Sequence, residues 1–354
     1  MSVATAPPAA TSWLAPAVRR AWRVAQTAAW LVGAGILVCL LWFPPAGIHA
    51  FWNVLIPVAP ALLAFAPGLW RNVCPLGTTA LLPRHSGLSA RRKLPVVWQG
   101  RLALIGVALL YLIVPLRHVV LDLNGPATAT VILLLALAAV VLGTRFEWKS
   151  GWCSGACPVH PVERLYGSAP LWSPPNAHCG LCERCVTPCA DATPNLDPLT
   201  VRDGRPRLLA GTLMVGGFCG FIWGWFHVPD YAGAEGWAHL GQAFGSPLGA
   251  AAVTVAAFLI LQRAVPARHH TVLRRAFAAA AIGCYYWYRL PALFGFGPFP
   301  GDGMLVDLRD TLPAAFPAVS RVATTALFGW WLIGRHARRL TWLARPPFAE
   351  PSAA

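Results

Sequence analysis

Ala127-Thr-Ala-Thr-Val-Ile-Leu-Leu-Leu-Ala-Leu-Ala-Ala-Val-Val-Leu-Gly-Thr144 runs for eighteen residues without a charged side chain. That is close to the ~20 apolar residues needed to cross a hydrocarbon core about 30 Å thick. Asp122 lies before it and Arg145 closes it, so the stretch reads as one membrane crossing. The rest of the chain repeats the pattern. Of its 354 residues, 56% are hydrophobic and 12% charged, against about a quarter charged in an ordinary soluble domain. Apolar runs over about 47–70, 97–116, 127–144, 207–227, 247–264, 274–295 and 321–336, with a first run from Arg19 to about Phe43, predict an all-α integral membrane protein of eight transmembrane helices. The sixth and eighth runs are the shortest, and Arg289-Leu-Pro291 interrupts the seventh. Residues 1–18, rich in Ala, Pro, Ser and Thr, read as a disordered tail. The apolar run after Arg19-Arg20 is too long for a signal-peptide core and suits a retained span.

A formal charge of +15 in a soluble protein would suggest a nucleic-acid partner. Here the basic residues flank the spans, and their distribution alternates. The amino-terminal tail carries three Lys or Arg, the 71–101 loop six, the 145–207 loop seven, the 263–275 loop four and the carboxyl terminus four. These 24 face only Arg117, Arg289, Arg309 and Arg321 on the other side. The positive-inside rule then places both termini in the cytoplasm and the chain in the inner (cytoplasmic) membrane, with no nucleic-acid partner. The organisation that follows is a 1–18 tail, helices one to four over 19–144 with a Cys74-Pro75 turn, a cytoplasmic loop over 145–206, helices five to eight over 207–340, and a cytoplasmic tail over 341–354. Trp223, Trp225 and the 285–288 aromatics read as an interfacial belt. The apolar 296–320 segment reads as an outer, re-entrant or interfacial piece.

The 145–206 loop contains Cys179-Gly-Leu-Cys182-Glu-Arg-Cys185-Val-Thr-Pro-Cys189, four thiols in eleven residues at the spacing C-x2-C-x2-C-x3-C. Bacterial ferredoxins hold a [4Fe-4S] cluster with this spacing. Zinc also takes four thiolates, but usually from two separated C-x2-C hairpins. A disulfide framework is disfavoured on a cytoplasmic face, where thiols stay reduced. Two further thiol turns lie on the same predicted face, Trp152-Cys153-Ser-Gly-Ala-Cys157-Pro158 and Trp70-Arg-Asn-Val-Cys74-Pro75, bringing that face to seven of the ten cysteines. Cys39, Cys219 and Cys284 fall inside spans and read as small packing residues. His160 and Glu163 follow the Cys157-Pro turn, where a plain polar loop is the simpler reading than proton transfer or tuning of a cluster. His49, His118 and His227 lie at outer span ends and His239 in an outer loop. They read as interfacial anchors, with haem ligation the sharper alternative.

Over residues 47–190 the chain resembles the membrane-bound polyferredoxin-like proteins of the NapH/NosR type, which serve nitrate and nitrous-oxide respiration and have a branch assisting cytochrome oxidase assembly. The C-x3-C-P turn at Cys153–Pro158 and the four-cysteine loop carry the resemblance. It departs in three places: Trp70 stands where a first C-x3-C-P motif would begin, only one four-cysteine loop is present, and Cys189 is followed by Ala190 rather than proline. Two ligand sets follow. Either Cys179, Cys182, Cys185 and Cys189 hold one cluster, or Cys157 replaces Cys189 as fourth ligand, leaving Cys189, Cys153 and Cys74 near a second centre. The resemblance implies electron transfer between a quinone pool or a ferredoxin-like partner and a respiratory or maturation system. A second function is copper reduction, with Cys74, Cys153 and Cys157 as soft ligands. A transporter ranks last, because the predicted spans carry almost no ionisable groups near their middles. The sequence contains no quinone signature and assigns no catalytic residue.

Overall fold

A computed structural model describes residues 14–92, 94–147, 149–178, 191–192, 198–199, 204–231, 233–335 and 340–344. Among these residues the chain is helical apart from turns and two isolated bridges, Arg92–Phe146 and Pro175–Ala344. Six helices are long and apolar enough to cross a membrane: α1 (Pro16–Trp42), α2 (Pro44–Phe65), α4 (Val97–Leu121), α5 (Gly125–Arg145), α7 (Arg205–Trp225) and α8 (Glu235–Ala264). Between them lie the short α3 (Pro67–Val73) and α6 (His160–Tyr166). Two more helices complete the bundle. The first, α9 (His270–Leu293), is long enough to cross but carries Arg274, Arg275 and Arg289; the second, α10 (Phe316–Gly329), has 14 residues before a π-helical turn at Trp330–Gly334. Six of the eight expected spans therefore meet both length and apolarity.

Proline explains many of the boundaries. Pro16, Pro44, Pro67, Pro126, Pro161, Pro206 and Pro317 each occupy the first or second helical position, where the missing N–H costs nothing and the fixed φ suits the helix. Asn124 caps α5 by accepting the Ala127 N–H at 2.9 Å. The expected break at Arg289-Leu-Pro291 does not occur, because α9 continues to Leu293. Pro291 leaves the Trp287 carbonyl without its helical donor, and Arg321 Nε donates to that oxygen at 3.3 Å.

The bundle closes on small residues. Gly216, Gly220 and Gly224 recur every fourth position of α7, and a Cβ on Gly220 or Gly224 would run into the α8 backbone at Ala250 or Ser246. The two helices cross at backbone contact, as small-residue stripes allow within membranes. Tyr285 and Tyr286 belong to the core rather than to an interfacial belt, as does Trp225, whereas Trp223 and Trp287 are exposed. Tyr286 explains its own burial: its hydroxyl donates to the Pro57 carbonyl at 2.7 Å and accepts the Ala61 N–H at 3.0 Å, entering the α2 ladder at one turn. The 296–315 stretch forms turns before α10 rather than a spanning helix.

Candidate functional site

Buried polar side chains gather at the two ends of α2. At its carboxyl end, Pro67 starts α3 and Cys74-Pro75 ends it, the residue before proline being extended (ψ 122°). This short helix turns Arg71 and Asn72 inward, and Asn72 is fully buried.

Asn72 holds the segment leading into the four-cysteine loop. Its Nδ2 donates to the Pro175 carbonyl at 2.9 Å and its Oδ1 accepts the Ala177 N–H at 3.1 Å. The Asn72 carbonyl accepts from His178 Nε2 and from Gln26 Nε2 of α1, both at 3.0 Å. Arg71 holds the segment leading out. Its Nε and Nη2 donate to Asp191 Oδ1 at 2.9 and 2.6 Å. The remaining guanidinium hydrogens reach the Cys153 carbonyl, Glu163 Oε2 and Ser154 Oγ at 2.8, 3.2 and 3.0 Å. Five hydrogen bonds thus use the fork fully, which is the role arginine fills better than lysine. Burial would lower the affinity of Arg71 for its proton, but Asp191 and Glu163 outweigh that and hold the group well above its usual range. The carboxyl-terminal segment closes the base: Leu343 N–H donates to the Asp191 carbonyl, Trp342 Nε1 to the Gly167 carbonyl, and the Arg71 guanidinium lies over the Trp342 ring. Residues 340–344 are therefore packed against this base rather than forming part of a free tail.

Cys179, Cys182, Cys185 and Cys189 lie outside the described residues. What is described is the frame, His178 and Asp191, anchored on consecutive residues of α3. The other predicted ligands stand beside it. Cys153 and Cys157 are buried and Cys74 is half-buried. Burial pushes the Cys74 thiol up to about 11, countered by backbone N–H groups of Gly77 and Leu76 and reinforced by Glu163. Cys157 is pushed up to about 12 by burial and then by Glu163 and Cys74. Among the described residues, no group of three or more His, Cys, Asp or Glu is arranged to hold a metal ion.

His160 and Glu163, expected as a plain polar loop, are buried within this network. His160 Nδ1 lies 3.1 Å from Glu163 Oε2. Burial drives His160 down to about 4, although the Glu163 hydrogen bond opposes that, so the ring is neutral at pH 7 and its Nδ1–H donates. Arg71, Asn72, His178, Asp191 and Trp342 are the residues that sequence reasoning passed over. The only available signal was the position of Arg71 and Asn72 inside the Trp70–Cys74 turn.

At the other end of α2, Arg117 pairs with Asp122 through Nε and Nη2 at 2.9 and 2.8 Å, between the Trp52 and Trp225 rings. Arg289 Nη2 donates to Asn53 Oδ1 and the Trp52 carbonyl at 2.6 and 2.7 Å. A Cβ at position 303 would strike Arg289 Nη1, and Gly303 also has φ +65°, so glycine serves both needs there. His118 contacts Asp230 and Trp225, His227 Nδ1 lies 2.7 Å from the Trp223 carbonyl, and His49 Nδ1 lies 2.9 Å from Asn53 Nδ2. These histidines are polar anchors of the helix ends.

Comparison with known proteins adds no family: no family model matches the chain, and neither a curated protein nor a solved structure does.

Proposed function

We propose that this membrane protein is an iron–sulfur electron carrier, with a [4Fe-4S] cluster held by Cys179, Cys182, Cys185 and Cys189. The observation that carries this reading is the C-x2-C-x2-C-x3-C spacing. The buried frame supports it, because His178 and Asp191, the residues framing the loop, are bound to adjacent positions of α3. Four thiols of this spacing on a fixed base suit a compact cluster, which when bound supplies one-electron transfer. Cys157 is the alternative fourth ligand, with Cys189, Cys153 and Cys74 near a second centre.

The chain's own residues have separate tasks in this reading. Asn72 and Arg71 set the loop ends. Glu163 and Asp191 neutralise Arg71, and neutral His160 carries no charge into the site. In the proposed topology eight helices place both termini and the loop in the cytoplasm, within the inner membrane of the cell. The redox partner is a quinone pool or a ferredoxin-like protein serving a respiratory or maturation system.

Iron and acid-labile sulfide analysis of anaerobically purified protein tests the reading. It predicts iron and sulfide in equal amounts, with the loop cluster's share of both lost in Cys182→Ser. Zinc in place of iron would end it. The second reading, copper reduction, rests on Cys74 and Cys157 lying within electrostatic reach of each other and of Glu163. Cys153→Ala with Cys157→Ala would abolish copper reduction while leaving the loop's iron; retained reduction would dispose of it.

A further inference from the structure

Residues 340–344, which follow α10, hold both arms of the cysteine loop at once. Leu343 N–H donates to the Asp191 carbonyl on the exit arm, and Ala344 N–H donates to the Pro174 carbonyl on the entry arm, both at 2.9 Å. Consecutive Cα atoms are about 3.8 Å apart, so one short piece of chain binds two stretches that the whole loop separates in sequence. Pro175 and Ala344 form a parallel bridge at the same place. Thr341 adds a further contact, its carbonyl accepting from the Ser173 hydroxyl. These ties are separate from those that Asn72 and Arg71 make from α3.

Trp342 seats the segment. Its indole is 7% exposed, its Nε1 donates to the Gly167 carbonyl at 2.8 Å, and its ring lies over the Arg71 guanidinium. Two glycines make room for it. A Cβ on Gly68 would strike the Trp342 carbonyl oxygen, and one on Gly167 would come within 3.0 Å of Trp342 Nε1. Leu343 beside it is fully buried. The indole also shields the Arg71–Asp191 pair, whose carboxylate is buried. An ion pair out of reach of water is stronger than the same pair in water. Lifting Trp342 therefore weakens the Arg71 tie to the exit arm along with the segment's own bonds.

The last helix carries this segment to the base. In the turn after α10, Trp331 Nε1 donates to the Ala64 carbonyl at 3.3 Å, and its ring meets Phe65 edge-on at 4.6 Å. Arg335 Nη1 donates to the Ala169 carbonyl at 3.0 Å, just before the entry arm. The end of α10 is thus fixed on α2 and on the base before residues 340–344 cross between the arms.

We propose that residues 341–344 are a clasp that governs retention of the cluster, with Trp342 as its positioning residue. Seated, the clasp holds the two arms together; released, it lets them part and opens the loop to solvent. Retention of a cluster rests on the iron–sulfur reading, whereas the holding of the arms does not.

The test uses the full chain in lipid nanodiscs under anaerobic conditions. Amide exchange is recorded, and iron release to an excess of chelator is timed in parallel. Trp342→Ala removes the seat, Trp342→Phe keeps a ring over Arg71 without the Nε1–H, and Ala344→Pro removes only the N–H that binds the entry arm. Trp342→Ala and Ala344→Pro are expected to speed exchange of the Ala177 amide, which donates to Asn72. Both should speed iron release about tenfold or more, the scale set by one or two lost hydrogen bonds. Trp342→Phe should fall between wild type and Trp342→Ala. The Ala61 amide, bound to Tyr286 within the bundle, should stay protected in all three. Unchanged exchange at Ala177, or unchanged iron release, would overturn the proposal, with Ala344→Pro deciding alone if Trp342→Ala does not fold. An equal rise at Ala61 would also overturn it, by making these residues supports of the whole bundle. Wild-type protein without iron would end the cluster reading alone, and the Ala177 and Ala61 amides would then decide whether the arms are clasped.

Discussion

The two ends of α2 solve the problem of a buried arginine differently. At its carboxyl end Arg71 directs its donors mainly to carboxylates and carbonyls that belong to the base of the cysteine loop: Asp191, Glu163 and the Cys153 backbone. At its amino end Arg289 bonds the α2 backbone and Asn53, while Arg117 closes on its neighbour Asp122 between two indoles. Both ends carry long-range bonds, Arg71 to Asp191 over 120 residues and Arg289 to Asn53 over 236, but only those of Arg71 reach a residue that flanks the cysteine loop. Disturbing the carboxyl end of α2 should therefore reach the loop and the iron proposed for it, and disturbing the amino end should not.

The largest effect is expected for Arg71→Ala. It removes the cation paired with two buried carboxylates, Asp191 and Glu163, and breaking a buried ion pair by removing one partner costs about 3–5 kcal/mol. Iron content should fall with thermal stability, and stability measured alongside iron per chain checks both. Next comes acidification. His160 is depressed to about 4 against about 6.5 in an unfolded chain, so the folded state binds fewer protons. Stability is complete above about pH 6.5 and falls as the pH drops toward 4, by roughly 3 kcal/mol in total. Denaturation midpoints across that window should show the loss, and His160→Gln should flatten it. Asn72→Ala should cost about 1–3 kcal/mol through stranded partners and lower iron occupancy. Asn53→Ala, its counterpart at the other end of α2, should cost a similar amount with iron content unchanged. If Asn53→Ala emptied the loop, the separation of the two ends would be wrong. The exposed Asp307–Arg309 pair, in which Arg309 holds Asp307 down to about 2, marks the lower end: Asp307→Asn should leave the melting temperature unchanged.

The membrane helices were legible because each is a long apolar run, several with a proline at the first or second position, and the loop was legible because its cysteine spacing is compact. The frame was not. Asp191 and His178 acquire meaning only through Arg71 and Asn72, 120 and 106 residues away, and no local pattern encodes such pairings. Tyr285 and Tyr286 were misread because aromatic residues near a span end fit a membrane interface equally well. Only the hydroxyl of Tyr286 in the α2 ladder identifies it as a core residue. The seventh span, read over 274–295 with an interruption at Arg289-Leu-Pro291, runs unbroken to Leu293 for a related reason: a distant arginine, Arg321, occupies the carbonyl that proline leaves free.

The account rests on the four-cysteine loop, and low-temperature EPR of dithionite-reduced, anaerobically purified protein, combined with iron and sulfide analysis, addresses it most directly. It predicts a reduced-cluster signal with about four iron and four sulfide per chain, or about eight of each if a second centre forms, and loss of the loop cluster's signal in Cys182→Ser. Protein that contains zinc or no metal, with no signal on reduction, would contradict it.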